Sequence, residues 1–146
     1  MTYFNVYGTF HFESMSQLVV VSFIVLFTGK ISLVTLYQHG MSHPVVFDVF
    51  RQPNLYTEGE LHRLFRAERV IKIIHDCKDA CAQLLEDHNI TTNCVFDTQV
   101  AYTFEMELNK LPARLLSYAA MHKNITGAAL YLPENVEVNI SNNLFG

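Results

Sequence analysis

The stretch from residue 70 to residue 96 constrains the fold more than any other part of this sequence. Residues 70–74 form a compact apolar run typical of a buried strand, a helical pattern follows over residues 78–87, and residues 94–96 form a second short strand. Two short strands joined by one helix predict a parallel crossover. Because parallel strands are covered by helices on their faces, the chain is expected to build an α/β sheet.

The residues before this stretch are predicted to add an antiparallel portion to the sheet. Aromatic and β-branched residues dominate the three predicted strands, which cover residues 3–13, 29–37 and 45–50. Thr57 and Glu60 have the spacing of a capping box, which predicts a helix over residues 58–68. The core is then expected to hold Leu61, Phe65, Ile71, Ile73, Leu84, Leu85, Val95 and Phe104.

The run from Leu18 to Phe27 is apolar and carries no charge. It is too short for a membrane-spanning helix, which needs about 20 such residues. The stretch before it holds Glu13 and no Lys or Arg, unlike the basic start of a signal peptide. We expect an extra strand or an ill-packed insertion here, and no membrane partner.

Composition and charge narrow the function classes. The chain has 146 residues, 50% of them apolar and 16% charged, which predicts one globular domain over residues 1–146. Its net charge of −4 gives no general attraction to phosphate backbones, so nucleic-acid binding needs a local patch or a bound metal. Cys77, Cys81 and Cys94 are predicted to be reduced thiols, typical of a cytoplasmic protein, with a nuclear location left open.

Two motifs in the middle of the chain match one family. His75-Asp76-Cys77 ends a predicted strand, and Val95-Phe96-Asp97-Thr98-Gln99 opens the next helix. Their sequence and spacing closely resemble the DEDD 3′–5′ exonuclease domains of the ribonuclease D branch. The best match is to the animal exonuclease 3′–5′ domain-containing proteins, the group that includes Egalitarian and a piRNA-pathway component.

The resemblance implies a fold and a domain. Gly29-Lys30 and Val46-Phe47-Asp48 resemble the second and third strands of the family. The implied fold is a ribonuclease H-like mixed sheet with flanking helices, truncated. The implied domain is one 3′–5′ exonuclease-like domain over residues 1–146 that is partial at its C-terminal end.

The family's chemistry needs four carboxylates that hold two divalent metals, magnesium or manganese, around the attacking water and the leaving oxygen. The candidate for its first motif, Asp-x-Glu, is His11-Phe12-Glu13, in which only the Glu is kept. The second-motif Asp falls on Ala80. Asp79 is adjacent but points about 100° away on a helix.

The third motif, Tyr-x-x-x-Asp, resembles Tyr118 followed by His122 in place of Asp. Glu13 is then the one remaining metal ligand, and no cofactor is expected. His11 and His122 could instead share a softer ion such as zinc. His75, Asp76 and Asp97 are interpreted as structural residues at strand ends.

Three functions remain open on this sequence. The first is a catalytically inactive exonuclease-like domain that binds RNA, another nucleic acid or a protein partner in an RNA-processing complex. The second is an active metal-dependent 3′–5′ exonuclease on RNA or DNA. The third is a truncated product without function. The basic cluster of Arg63, Arg66, Arg69 and Lys72 is the candidate phosphate contact, unless it is a solvated face shared with Glu60 and Glu68.

Overall fold

A hairpin of two long strands opens the described chain. In the computed structural model, which describes residues 18–129, β1 covers Leu18–Val25 and β2 covers Ile31–Gln38. The two strands pair antiparallel along their length. The turn between them contains Gly29, whose left-handed φ of 82° costs little because glycine has no Cβ.

The remaining elements follow in the order that the sequence predicts. They are β3 (Val45–Asp48), a 3-10 helix (Pro53–Tyr56), α1 (Leu61–Arg66), β4 (Ile71–Ile74), α2 (Lys78–His88), β5 (Val95–Asp97), α3 (Thr98–Leu108) and α4 (Tyr118–Thr126). The five strands form one sheet in the order β3-β2-β1-β4-β5. The pairs β1–β4 and β4–β5 are parallel and the other pairs are antiparallel, which confirms the predicted mixed α/β sheet.

The described residues fall into two compact units, residues 18–101 and residues 102–129, with the boundary inside α3. The first unit contains the whole sheet, α1 and α2, and the second contains α4. One exonuclease-like domain over residues 1–146 stays a prediction. No helix of the described part is long and apolar enough to cross a membrane.

The middle of the sheet is occupied by β1, the strand within the apolar run that was predicted as an extra strand or an insertion. One edge of β1 pairs with β2 and the other with β4, while β4 pairs on its far side with β5. Both edges of β4 are therefore filled. The strand that pairs with residues 71–73 is β1, whereas the predicted strand ending at Glu13 lies outside the described residues.

One apolar cluster joins the sheet to α1 and α2. Phe23 of β1 stacks on Phe65 of α1, with ring centroids 5.9 Å apart. The predicted burial of Leu61, Phe65 and Leu84 is confirmed, and Val95 packs against the cluster while only partly buried. The fully buried members of the cluster are Val19, Val34, Leu36, Leu61, Leu64, Phe65 and Leu84.

The face of strand β4 that packs against the core is the opposite of the predicted one. Lys72 and Ile74 are buried, whereas Ile71 is 44% exposed and Ile73 is only partly buried. The Lys72 ammonium donates a hydrogen bond of 2.6 Å to the Ala67 carbonyl. Burial lowers the pKa of Lys72. The charge of Lys72 suggested a solvent-facing side chain. This was wrong because the long side chain reaches a carbonyl acceptor from inside the core.

Two further core predictions were wrong because each helix buries a different side. Leu85 is 49% exposed, since Ala80 and Leu84 hold the inward side of α2. Phe104 is 61% exposed, since α3 buries Tyr102, which lies about 200° away around the helix. Apolar spacing alone did not distinguish these neighbouring sides.

The start of α1 also differs from the prediction. The Thr57 hydroxyl donates to the Asn54 carbonyl at 3.1 Å and caps no helix. Glu60 stands at the N-cap with a left-handed φ of 59° and makes no capping hydrogen bond from its side chain. The predicted capping box is therefore absent, because the 3-10 helix before it uses Thr57 in its own last turn.

Leu84→Ala is expected to lower the free energy of unfolding by about 2–5 kcal/mol, because it removes a fully buried side chain and leaves a cavity. Leu85→Ala is the matched control on the same helix and is expected to cost less than about 1 kcal/mol, since Leu85 is half exposed. Urea denaturation of both variants measures the difference. Equal losses would contradict the inward side assigned to α2.

Candidate functional site

The carboxyl ends of β1, β4 and β5 lie at one edge of the sheet, because these three strands are parallel. In open α/β sheets this edge is where ligands bind. It is formed here by residues 22–25, residues 75–77 and residues 97–99. These three segments define the candidate functional site of the first unit.

Asp97 fixes the turn that leaves β4. Its Oδ1 accepts hydrogen bonds from the backbone N–H groups of Asp76 at 3.0 Å and Gln99 at 2.8 Å, and its Oδ2 accepts one from Cys77 at 2.8 Å. These bonds hold Asp76 at a left-handed φ of 51°. Burial alone would raise the pKa of Asp97, but the hydrogen bonds from Cys77, Gln99 and Asp76 outweigh it and lower the pKa. Asp76 and Asp97 therefore have structural roles, as predicted.

His75 and Cys77 are also held in local contacts. The Nδ1 atom of His75 lies 3.0 Å from the Thr98 hydroxyl, which in turn donates to the Ile74 carbonyl at 3.4 Å. Burial, together with the Asp97 carboxylate and Cys81, raises the pKa of the Cys77 thiol far above its usual range. A thiol that stays protonated is a poor nucleophile, so this pair does not form a catalytic Cys–His arrangement.

Strand β1 carries no carboxylate and so no copy of an Asp-x-Glu motif. Asp-x-Glu puts two acidic side chains on the same face of a strand, because successive side chains alternate. Near the end of β1, the two exposed side chains on one face belong to Ser22 and Ile24. The sequence candidates for this motif, His11 and Glu13, lie outside the described residues.

Ala80, the residue predicted to stand in place of the second-motif Asp, lies in the first turn of α2. Ala80 is 9% exposed and belongs to the apolar cluster. Asp79 beside it is exposed, which agrees with the turn of about 100° between neighbours on a helix. The carboxylate of Asp79 therefore points away from the side that Ala80 occupies.

Tyr118 and His122 lie on α4, in the second unit. Ser117 caps this helix by accepting a hydrogen bond from the Ala120 N–H at 3.3 Å. The rings of Tyr118 and His122 have centroids 6.5 Å apart, which confirms that the two residues share one side of the helix. The Nδ1 atom of His122 lies 3.1 Å from the Ala128 carbonyl, so the imidazole takes part in closing the end of α4.

The predicted basic cluster is divided by the fold. Arg63 forms an ion pair of 2.8 Å with Glu60, and Arg66 donates to the Asn89 carbonyl at 2.7 Å. Both arginines and Arg69 are exposed. Lys72 is fully buried and contributes nothing to a surface patch, so its assignment as a phosphate contact was wrong. The surface patch consists of the three arginines.

Among residues 18–129, no group of three or more His, Cys, Asp or Glu side chains has an arrangement that could hold a metal ion. Cys77, Cys81 and Cys94 are free thiols, as predicted, although Cys94 is exposed rather than packed.

Comparison with solved structures identifies the fold. Trypanosoma brucei RNase D matches with a TM-score of 0.68 and 17% identity, over 83% of this chain and 44% of that chain. The same enzyme in complex with RNA U12 gives 0.66 and 18%, over 79% of this chain and 41% of that chain. Escherichia coli RNase D, an exoribonuclease, gives 0.58 and 16%, over 79% of this chain and 29% of that chain.

The chain thus has the ribonuclease H-like fold of RNase D exonuclease domains, as the resemblance implied. It spans less than half the length of each of these proteins. No family model and no curated protein sequence matches it. At these identities the likeness establishes the fold, and the function has to be argued from the site.

Asp97→Asn is expected to lower the free energy of unfolding by about 1–3 kcal/mol at neutral pH, because the amide replaces a charged acceptor of three backbone N–H groups. The pKa of Asp97 is lowered by folding, so its contribution is present above the pKa of unfolded Asp, about 3.9, and is lost as the pH falls through the folded value.

Urea denaturation between neutral pH and about pH 3 measures this difference. The gap between the wild type and Asp97→Asn should be constant at higher pH and close in acid. Asp87→Asn, an exposed position at the end of α2, is the control and should leave stability nearly unchanged. A gap that persists unchanged in acid would contradict the role of the ionised carboxylate.

Proposed function

We propose that this chain is a non-catalytic exonuclease-like domain that binds RNA without cleaving it. The proposal rests on the side chains that we assign to the family's metal-ligand positions. Ser22 and Ile24 occupy the end of β1, Ala80 occupies α2 and His122 occupies α4. None of these four side chains is a carboxylate.

The absence of carboxylates at these positions opposes two-metal catalysis on simple electrostatic grounds. Two divalent ions repel each other unless anionic oxygen ligands surround them. A hydroxyl, two alkyl groups and an imidazole supply no negative charge, and the core position of Ala80 leaves only a methyl group there. Removing one electrostatic donor from a catalytic site already costs on the order of 10²–10³ in rate. Several missing ligands are expected to abolish cleavage.

RNA binding is supported by two separate observations. RNase D from Trypanosoma brucei has been crystallised with RNA on the same fold. In this chain Arg63, Arg66 and Arg69 are exposed on α1 and just after it. Because the net charge is −4, phosphate contact has to come from such a local patch. Arginine suits this task, since its planar guanidinium binds phosphate oxygens in pairs.

The first test is a cleavage assay with the full chain. A 5′-labelled single-stranded RNA is incubated with the protein and Mg²⁺ or Mn²⁺, alongside a chelator control and the variant Glu13→Gln. We expect no shortening in any of these reactions. Stepwise shortening from the 3′ end that requires metal would refute the proposal and establish an active exonuclease, and its loss in Glu13→Gln would identify Glu13 as a metal ligand.

The second test is RNA binding as a function of salt. Removing one arginine that binds a phosphate should reduce the slope of log K against log salt by about 1. Arg69→Gln and Arg63→Gln are expected to show that reduction. Arg51→Gln, which removes an exposed arginine beside Asp48 on β3, is the matched control and should not. Binding that is absent, or equally affected by the control, would contradict the arginine patch.

A further inference from the structure

The connection between β2 and β3, here called the His-Met loop, covers residues 39–44 and holds two histidines and one methionine at alternate positions. They are His39, Met41 and His43. The segment of residues 37–45 contains no Asp, Glu, Lys or Arg. The loop therefore offers two imidazoles and a thioether as donors, with no carboxylate beside them.

The backbone of the His-Met loop folds back on itself. The Met41 N–H donates to the Gln38 carbonyl at 3.0 Å, and Gly40 has the left-handed φ, 91°, that a type II turn needs at its third position. Residues 42–43 then bend the chain a second time. Antiparallel pairing of β2 with β3 fixes both ends of the loop. The three donor side chains are therefore confined to one tight connection.

Two hydrogen bonds orient donors of this loop. The Gln38 N–H donates to the Met41 Sδ atom at 3.2 Å, which holds the sulfur beside the last residue of β2. A thioether sulfur has two lone pairs, so one stays available to a metal ion. The His43 Nδ1 atom lies 3.0 Å from the Ser42 hydroxyl. Metal-binding histidines typically hold one ring nitrogen in such a bond, which leaves the Nε2 atom of His43 as the ligand.

His39 supplies the third donor. Its imidazole is exposed and, within residues 18–129, makes no hydrogen bond, ion pair or ring contact. Each histidine is two residues from Met41, so neither Cα lies farther than about 7 Å from the Cα of Met41. The imidazole of His43 is also exposed, so both rings can rotate towards the sulfur without breaking core packing.

We propose that His39, Met41 and His43 form a binding site for Cu(I). A thioether is a soft donor that selects Cu(I), and imidazole also suits copper. Mg²⁺ and Ca²⁺ need oxygen ligands such as carboxylates, which the loop lacks. Zn²⁺ takes four ligands in its structural sites, drawn from Cys, His and carboxylates, and only the two histidines belong to that set.

The copper site is separate from the candidate functional site. Gln38 pairs with Val19 near the start of β1, whereas the candidate functional site lies at the carboxyl ends of β1, β4 and β5. The His-Met loop therefore lies at the opposite edge of the sheet. Cu(I) binding is independent of RNA binding and of the missing carboxylates, so either proposal can fail without the other.

Anaerobic NMR titration of the full chain with Cu(I), supplied as its weak acetonitrile complex, tests the proposal. The three cysteine thiols also bind Cu(I), so total copper is not the readout. The readout is the Met41 methyl resonance together with the ring resonances of His39 and His43. These resonances should shift together and saturate with one ion in the loop. The methyl group of Met121, which is 5% exposed, is the internal control and should not respond.

Variants of the three donors sharpen the test. Met41→Leu keeps a side chain of similar size and removes the sulfur, so the histidine resonances should need at least about tenfold more Cu(I) to shift. His39→Gln and His43→Gln should weaken the Met41 response to a similar degree. His88→Gln, which removes an exposed imidazole from α2, is the matched control and should change nothing. Circular dichroism should show wild-type folding throughout, because the loop lies outside the apolar cluster.

A Met41 methyl resonance that stays in place throughout the titration would overturn the proposal. Equally strong binding in Met41→Leu, or in both histidine variants, would overturn it as well. A response of the same three side chains to Mg²⁺ at the same concentration would contradict the selectivity for a soft ion.

Discussion

The pairing of β1 on both of its edges is the interaction on which the rest of this fold depends. Antiparallel pairing with β2 and parallel pairing with β4 join the N-terminal hairpin to the βαβ part of the sheet. The backbone of a strand that is paired on both edges is shielded from water. The uncharged side chains of β1 make this central placement favourable. Since β1 also leads into the candidate site, its sequence decides what chemistry the site can hold.

Much of the βαβ part could be predicted from sequence because its signals are local. The strand at residues 70–74, the helix α2 and the strand β5 were each placed correctly, and the structural role of Asp97 follows from a carboxylate at a strand end. Tyr118 and His122 share one side of α4, as their spacing predicted.

The wrong predictions concern features that depend on contacts between distant parts of the chain. An apolar run does not show which strands it will pair with, so β1 was interpreted as an extra strand or an insertion. The available signal was the Gly29 turn, which joins two apolar runs into a hairpin. Lys72 was assigned to the surface because its acceptor, the Ala67 carbonyl, is known only from the packing of α1.

We propose that this chain has the fold of RNase D without the carboxylates that would hold two metal ions. Isothermal titration of the full chain with Mn²⁺, with Glu13→Gln as the comparison, tests the claim most directly. We expect no saturable binding tighter than about millimolar, because Ser22, Ile24, Ala80 and His122 supply no carboxylate. Saturable micromolar binding of two ions per chain, abolished in Glu13→Gln, would contradict it.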